Sequence, residues 1–252
     1  MRTPIIAGNW KMYKTMGEAT ALVQALKKEL GSFDKAEVIV FPPFTALNTV
    51  YLLIENSMIK LGAQNLFWEK EGAFTGETSP LMLKDCGCEY VIIGHSERRQ
   101  YFHDTDESVN KKMKMALDVG LIPIVCVGET LAEREAAKTK AVIEAQLKGG
   151  FNDITNEDMV SIVIAYEPVW AIGTGKTATP AMAQEVHKFI REWLTANFSA
   201  EISDNTRILY GGSVKPDNIK ELMHEPDIDG GLVGGASLKA ESFAAIAKNA
   251  VA

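Results

Sequence analysis

The sequence predicts an α/β protein built as a closed (β/α)8 barrel, eight parallel strands inside a ring of helices, in a single domain over residues 1–252. Eight short runs of β-branched and other apolar residues recur along the chain. They are apolar on both faces, as strands buried between two layers must be. Helical patterns alternate with them, which pairs neighbouring strands in parallel through right-handed crossovers. The length of 252 residues suits one barrel, and no linker or low-complexity stretch divides it. An open doubly wound sheet also satisfies the alternation, but the closed barrel fits the length and the even spacing better.

The elements follow in order. PIIAGNW from Pro4 ends in Asn9 and Lys11, and EVIVF from Glu37 is the second strand. IKLGAQ from Ile59 ends in Gln64 and Asn65, and YVIIG from Tyr90 runs into His95, Ser96 and Glu97. Over 105–120 a helix is expected, with Val109, Met113 and Ala116 on one face and Gly120 as its stop. LIPIVCVG from Leu121 carries Cys126 and ends near Glu129. Thr130 and Glu133 make a capping box before a long polar helix over 130–148. SIVIAYE from Ser161 ends in Glu167. Thr179 caps a helix over 179–196, with Pro180 in the first turn and Val186, Phe189, Ile190 and Trp193 on one face. RILYGG from Arg207 ends in Gly211, Gly212 and Ser213, before a helix expected from Pro216. DGGLVGG from Asp229 ends in Gly234 and Gly235, and the helical SLKAESFAAIAKNA closes the series.

Apolar residues make up 46% of the chain, enough for a large core. The net charge of −7 argues against nucleic acid or an anionic membrane as partner, so an anionic ligand must be caught by local groups. Three cysteines, Cys86, Cys88 and Cys126, make no disulfide framework. The apolar run at the start is too short for a signal peptide, and no stretch of 18 apolar residues occurs. A reducing, cytoplasmic location is therefore expected. Neither the cysteines nor His95, His103, His187 and His224 show metal-ligand spacing, so no metal is expected.

In a barrel the chemistry sits at the C-terminal ends of the strands. The rim would then gather Asn9, Lys11, His95, Glu97, Glu167, Ser213 and the two Gly-Gly pairs. The segment IVIAYEPVWAIGTGKTATP (162–180) admits three readings. A phosphate-binding P-loop needs glycine where Trp170 stands. Gly173, Gly175 and Ala178 match a dinucleotide fingerprint, but late in the chain and away from the strand. The third reading is a base, Glu167, with a lid from Trp170 to Gly175, hinged by Pro168 and presenting the apolar face Val169–Ile172. Such a cover excludes water and raises the basicity of the carboxylate. The Gly-Gly pairs expose backbone N–H groups as an anion nest, in the two loops where barrels often hold phosphate. Lys11 stands between Trp10 and Met12, an unusual setting for a surface lysine. Arg98 and Arg99 are expected to pair with acidic neighbours such as Glu97. Loop 65–78 carries Phe67, Trp68 and Phe74, and exposed aromatics in so long a loop point to a protein contact.

Five motifs, AGNWKM (7–12), VIIGHSERR (91–99), AYEPVWAIGTGK (165–176), YGGSV (210–214) and LVGGASL (232–238), closely resemble those of the triosephosphate isomerase family, in that family's order. The resemblance implies a TIM barrel and an isomerase of glycolysis and gluconeogenesis. Its reaction interconverts dihydroxyacetone phosphate and D-glyceraldehyde 3-phosphate through an enediolate. It implies Glu167 as carbon base, His95 as neutral electrophile, and Lys11 with Asn9 at the substrate oxygens. It places the phosphate on Gly173, Ser213, Gly234 and Gly235, with Glu97 and Cys126 as supporting groups. It further implies no cofactor, and a homodimer in which loop 65–78 reaches the neighbouring site through Thr75. The rival expectation is a non-catalytic barrel that binds phosphorylated ligands. The Cys86–Cys88 pair and the segment KGGFNDIT (148–155) look particular to this chain.

Overall fold

The computed structural model describes residues 2–172 and 177–252. Among them lie eight strands: β1 Ile5–Asn9, β2 Glu37–Phe41, β3 Ile59–Ala63, β4 Tyr90–Ile93, β5 Ile122–Val127, β6 Val163–Tyr166, β7 Ile208–Tyr210 and β8 Gly230–Val233. They pair in chain order, all parallel, and β8 returns to β1. Alternate residues point to opposite faces, as the strand period of two requires. Ile5, Ala7, Ile39, Phe41, Ile92, Ile124, Cys126, Val163, Ala165 and Leu209 fill the barrel. Their neighbours Ile6, Val38, Val40, Val91, Val125 and Ile164 pack outward against the helices. No helix of the described residues is long and apolar enough to cross a membrane.

The helices show which local signals prevail. Asp106–Asp118 starts after the capping residue Thr105, buries Val109, Met113 and Ala116, and gives way to Gly120 at φ +72°. Pro180–Asn197 starts after Thr179, whose hydroxyl accepts the Met182 N–H; Val186, Ile190 and Trp193 are buried, and Phe189 is partly so. The single helix expected over 130–148 is instead two, Leu131–Glu135 and Thr139–Gly150. The capping box of Thr130 and Glu133 forms, but the chain turns at Ala137, held at φ +54°, where the Lys138 N–H returns to the Glu133 carbonyl. The helix expected from Pro216 begins only at Ile219. Asn218 holds the preceding turn: its Oδ1 accepts the Lys215 N–H at 2.8 Å and its Nδ2 donates to the Ser213 carbonyl at 2.9 Å.

The seam that closes the barrel is sparse in strand pairing. Among the described residues β7 meets β8 at the one register pair Tyr210↔Gly231. Asp229 supplements it. Its N–H donates to the Ile208 carbonyl, its carbonyl accepts the Ile5 N–H, and its carboxylate accepts the Ile208 N–H at 2.8 Å. Arg191 and Arg2 neutralise that carboxylate at 2.7 and 2.5 Å. The next residue, Gly230, stands at φ +142°, and a β-carbon there would lie 1.9 Å from the Ile5 carbonyl oxygen. Gly230→Ala is expected to cost about 3 kcal/mol, since both backbone strain and a clash with fixed backbone arise. The thermal midpoint should then fall by about 10 °C. A midpoint equal to that of the parent protein, read by circular dichroism, would show that the seam tolerates a side chain.

Candidate active site

The strand ends β1, β4 and β6 bring three of the expected residues together. After β4 the chain turns, and His95 caps the short helix Ser96–Tyr101 with its ring: Nδ1 accepts the Glu97 N–H at 3.2 Å. A nitrogen that accepts carries no proton, so the ring's proton sits on Nε2. That nitrogen lies 2.9 Å from Glu167 Oε1. The other carboxylate oxygen of Glu167 accepts the Ser96 N–H at 2.9 Å. Glu167 is 2% exposed, a carboxylate almost wholly removed from water.

Lys11 reaches the same place from β1. Its backbone is left-handed at φ +52°, held there by Asn9 Oδ1, which accepts the Lys11 N–H at 3.0 Å. Gln64, at the end of β3, donates to the Lys11 carbonyl at 2.8 Å and to the Phe41 carbonyl at 2.9 Å. The ammonium is 2.6 Å from Glu97 Oε1. Asn9, Lys11, His95 and Glu167 line a cavity of about 280 Å3, and Ser213, Gly234 and Gly235 line its other side. Ser237 secures the Gly234 turn by donating to its carbonyl at 2.7 Å.

Profile comparison matches residues 4–250 to triosephosphate isomerase. The chain belongs to the triosephosphate isomerase family. A protein of that name from Carboxydothermus hydrogenoformans is 61% identical over 251 residues, covering 100% of both chains. Those from Trichlorobacter lovleyi and Endomicrobium trichonymphae are each 58% identical over 248 residues, covering 98% of this chain and 99% of theirs.

For a triosephosphate isomerase relative, the electrostatics of Glu167 differ from the sequence expectation. Burial does push its pKa up, but the adjoining His95 ring through its electrostatics and its hydrogen bond, the Ser96 N–H and Lys11 outweigh burial, and the carboxyl ends below its ordinary value. Burial pulls His95 down, while the adjoining Glu167 and then Glu97 pull it up and prevail. Cys126 lies inside the barrel rather than on the cavity wall. Burial and the neighbouring Glu167 push its thiol up, which keeps it protonated.

Other expectations meet mixed outcomes. Gly173 and the lid residues Thr174 and Gly175 lie outside the described residues. The described beginning of that loop is a turn, Val169–Ala171, with Trp170 buried and Ile172 on the cavity wall. Arg98 and Arg99 pair with Asp104 and Asp106 rather than Glu97, because Glu97 faces Lys11. Asn65 turns away from the rim and accepts from buried Lys112 at 2.9 Å. In loop 65–78, Phe67 stacks on Trp68 and Phe74 at 4.2 and 4.6 Å, which leaves Phe67 and Trp68 half-buried and Phe74 and Thr75 exposed.

Sequence reading missed the weight of Glu129. Its fully buried Oε1 gathers the Trp170 Nε1–H at 2.9 Å, the Tyr166 hydroxyl at 3.1 Å and Arg134 at 3.1 Å. An acid at a strand end, with an arginine one turn into the next helix, was the available signal.

His187, on the helix Pro180–Asn197, packs against the outside of β6 and β7, its ring edge-on to Tyr166 at 5.8 Å and 6.4 Å from Tyr210. Burial, chiefly, lowers its pKa from 6.5 to about 4. Between those values the unfolded chain binds a proton that the folded chain does not, so stability falls as pH drops through that window. The loss should reach roughly 3 kcal/mol by pH 4. Urea titrations at pH 7 and pH 4.5 should give a smaller difference for His187→Gln than for the parent; equal differences would assign the acid sensitivity to other groups.

Proposed function

We infer that the protein interconverts dihydroxyacetone phosphate and D-glyceraldehyde 3-phosphate, with Glu167 as the base that takes a proton from the carbon beside the carbonyl. The observation that carries this reading is the meeting of Glu167 with His95 Nε2 at 2.9 Å, in a cavity that Lys11 also enters. Removing such a proton requires a base, a hydrogen-bond donor at the oxygen that becomes an enediolate, and a nearby positive charge. Three strand ends supply these three groups.

The hydrogen bonds suggest how the base is armed. A free glutamate, near 4.3, is a weak base against a carbon acid. In the structure the groups that lower Glu167 are His95 and the Ser96 N–H. A substrate carbonyl that takes the His95 Nε2–H deprives Glu167 of one of them. Burial, which pushes the other way, then dominates, and the carboxylate becomes more basic as substrate binds. The same proton on Nε2 serves the developing enediolate oxygen, and Lys11 with Asn9 meets the substrate oxygens. Ser213, Gly234 and Gly235, with Gly173, take the phosphate. Glu97 holds Lys11, and the protonated Cys126 thiol adds no second negative charge behind Glu167. No cofactor or metal enters this chemistry.

A barrel that merely bound phosphorylated ligands would have no use for a buried carboxylate poised on a histidine, and the relatives named above are isomerases by name. The role belongs to glycolysis and gluconeogenesis in the cytoplasm. The exposed Phe74 and Thr75 on loop 65–78 support a homodimer in which that loop reaches the partner's site.

A coupled assay of triose phosphate interconversion tests the reading directly. Glu167→Gln should cut turnover by at least ~10³-fold, because the general base is lost. Binding of inorganic phosphate should persist in that variant; near-normal turnover would move the base elsewhere. Thr75→Arg is expected to convert a dimer into poorly active monomers on analytical ultracentrifugation. A parent protein that sediments as a monomer would refute the loop 65–78 contact.

A further inference from the structure

Helix Thr139–Gly150 lies outside the barrel, in a segment the sequence marks only as polar. One of its side chains nevertheless turns inward. Gln146 Oε1 accepts the Gly128 N–H at 2.8 Å, and its Nε2 donates to the Gly128 carbonyl at 3.0 Å. The amide thus holds one residue of the loop after β5 by both of its backbone polar groups.

Gly128 in turn abuts Glu167. A β-carbon on Gly128 would lie 1.8 Å from the Glu167 carbonyl oxygen, 2.8 Å from its carbonyl carbon and 3.2 Å from its β-carbon. The preceding residue, Val127, accepts the Glu167 N–H at 2.8 Å. Val127 and Gly128 therefore form a wall against the backbone of Glu167. Val127 is packed in the core, but beside Gly128 a cavity of about 410 Å3 opens, lined among others by Ser96, Arg99, Gln146, Glu167 and Val169. Gly128 has no side chain to pack into that space, so its own placement depends on the Gln146 hydrogen bonds. The carboxylate at the other end makes two contacts of 2.9 Å, to His95 and to the Ser96 N–H, and hydrogen bonds of that length fail within about 1 Å of displacement.

We propose that Gln146 and Gly128 are positioning residues for Glu167: the Gln146 amide fixes Gly128, and Gly128 sets how closely the Glu167 backbone packs against the end of β5. This rests on Glu167 being the reacting base. Gly128 has to be glycine for the approach to occur, and Gln146 has to carry both a donor and an acceptor. An amide provides the two in one plane; a hydrocarbon of similar size provides neither, and leaves the Gly128 N–H and carbonyl without those partners.

The experiment compares the parent protein with Gly128→Ala and Gln146→Leu. Steady-state kinetics across pH are combined with inhibition by inorganic phosphate. Carbon-13 NMR titration of the Glu167 carboxyl, assigned through Glu167→Gln, provides a readout that does not depend on the reaction. A displacement of about 1 Å at the reacting centre costs on the order of 10²-fold, so kcat should fall by about that factor in Gly128→Ala and by about tenfold in Gln146→Leu. KM and phosphate inhibition should stay within about twofold, since the phosphate loops are untouched. The carboxyl should titrate at higher pH in both variants, because the Ser96 and His95 contacts that lower it lengthen. Gln146 is half-buried on an outer helix, so Gln146→Leu decides the matter alone should Gly128→Ala not fold. The proposal is overturned if folded variants keep the parent's kcat and carboxyl titration. It is equally overturned if phosphate affinity falls in step with kcat, the mark of general disorder at the rim. A parent protein that fails to isomerise, but whose Glu167 titration still shifts in the variants, would sink the function and leave the positioning device standing.

Discussion

Closure of the sheet between β7, β8 and β1 is the constraint on which the other features rest. An open eight-stranded sheet would leave two edges of unpaired N–H and carbonyl groups and would spread its strand ends along a line. Closing it turns the line into a ring, and residues as distant in sequence as Lys11 and Gly234 come within contact. Pairing at this seam is thin, and Asp229 compensates with backbone and carboxylate together. The arrangement puts a carboxylate 6% exposed at the base of the barrel, which is tolerable only because two arginines and a backbone N–H meet it. Removing one partner there would leave a buried charge, so the network is better regarded as a lock on register than as a source of net stability.

At the opposite end of the strands the same physics is used differently. Glu167 is more deeply buried than Asp229, yet among the described residues no arginine forms an ion pair with it. Its compensation comes from a histidine ring and one N–H, both of which a ligand can compete for. Glu129, fully buried nearby, has a permanent set of partners in Tyr166, Trp170 and Arg134. Two carboxylates on adjacent strand ends are thus settled in opposite ways, one fixed and one exchangeable. That contrast distinguishes the two carboxylates more clearly than burial does.

Much of this was legible in the sequence because it depends on local pattern. The eight strands declare themselves by two-sided apolar runs, and Asn9, Lys11, His95, Glu167, Ser213 and the Gly-Gly pairs stand at their ends. Capping residues such as Thr105, Thr130 and Thr179 mark helix starts without help from tertiary structure. What escaped was set by contacts between distant parts of the chain, or by side chains bonding to the backbone of a turn. The late helix start at Ile219 belongs to the second kind, since Asn218 satisfies the groups a helix would have used, whereas the break at Ala137 is a left-handed backbone turn closed by the Lys138 N–H on the Glu133 carbonyl. The pairing of Glu97 with Lys11, which leaves Arg98 and Arg99 to Asp104 and Asp106, the gathering of Tyr166 and Trp170 at Glu129 and the inward turn of Gln146 belong to the first. The net direction of the Glu167 shift was also out of reach: an apolar cover argues for a rise, and only the coordinates place His95 and Ser96 close enough to reverse it.

In a chain of net charge −7, attraction for an anion has to come from local groups, and the cavity presents two kinds of them. Lys215 lines the cavity by Gly211–Ser213, while Lys11, on the cavity wall beside Asn9, is already matched by Glu97 at 2.6 Å, in a pair that is 22% and 39% exposed. Such a pair contributes little to folding. Its physical consequence is directional, because it fixes where the ammonium sits on the cavity wall. Much of the remaining wall, by contrast, presents glycine backbone around Gly212, Gly234 and Gly235. Backbone N–H groups do not titrate and do not swing on long stems, so they hold a phosphate at fixed distance whatever the field of the rest of the molecule. A pinned ammonium and glycine backbone thus share one cavity with Glu167 and His95, a local distribution of charge that the net charge of the chain does not reveal.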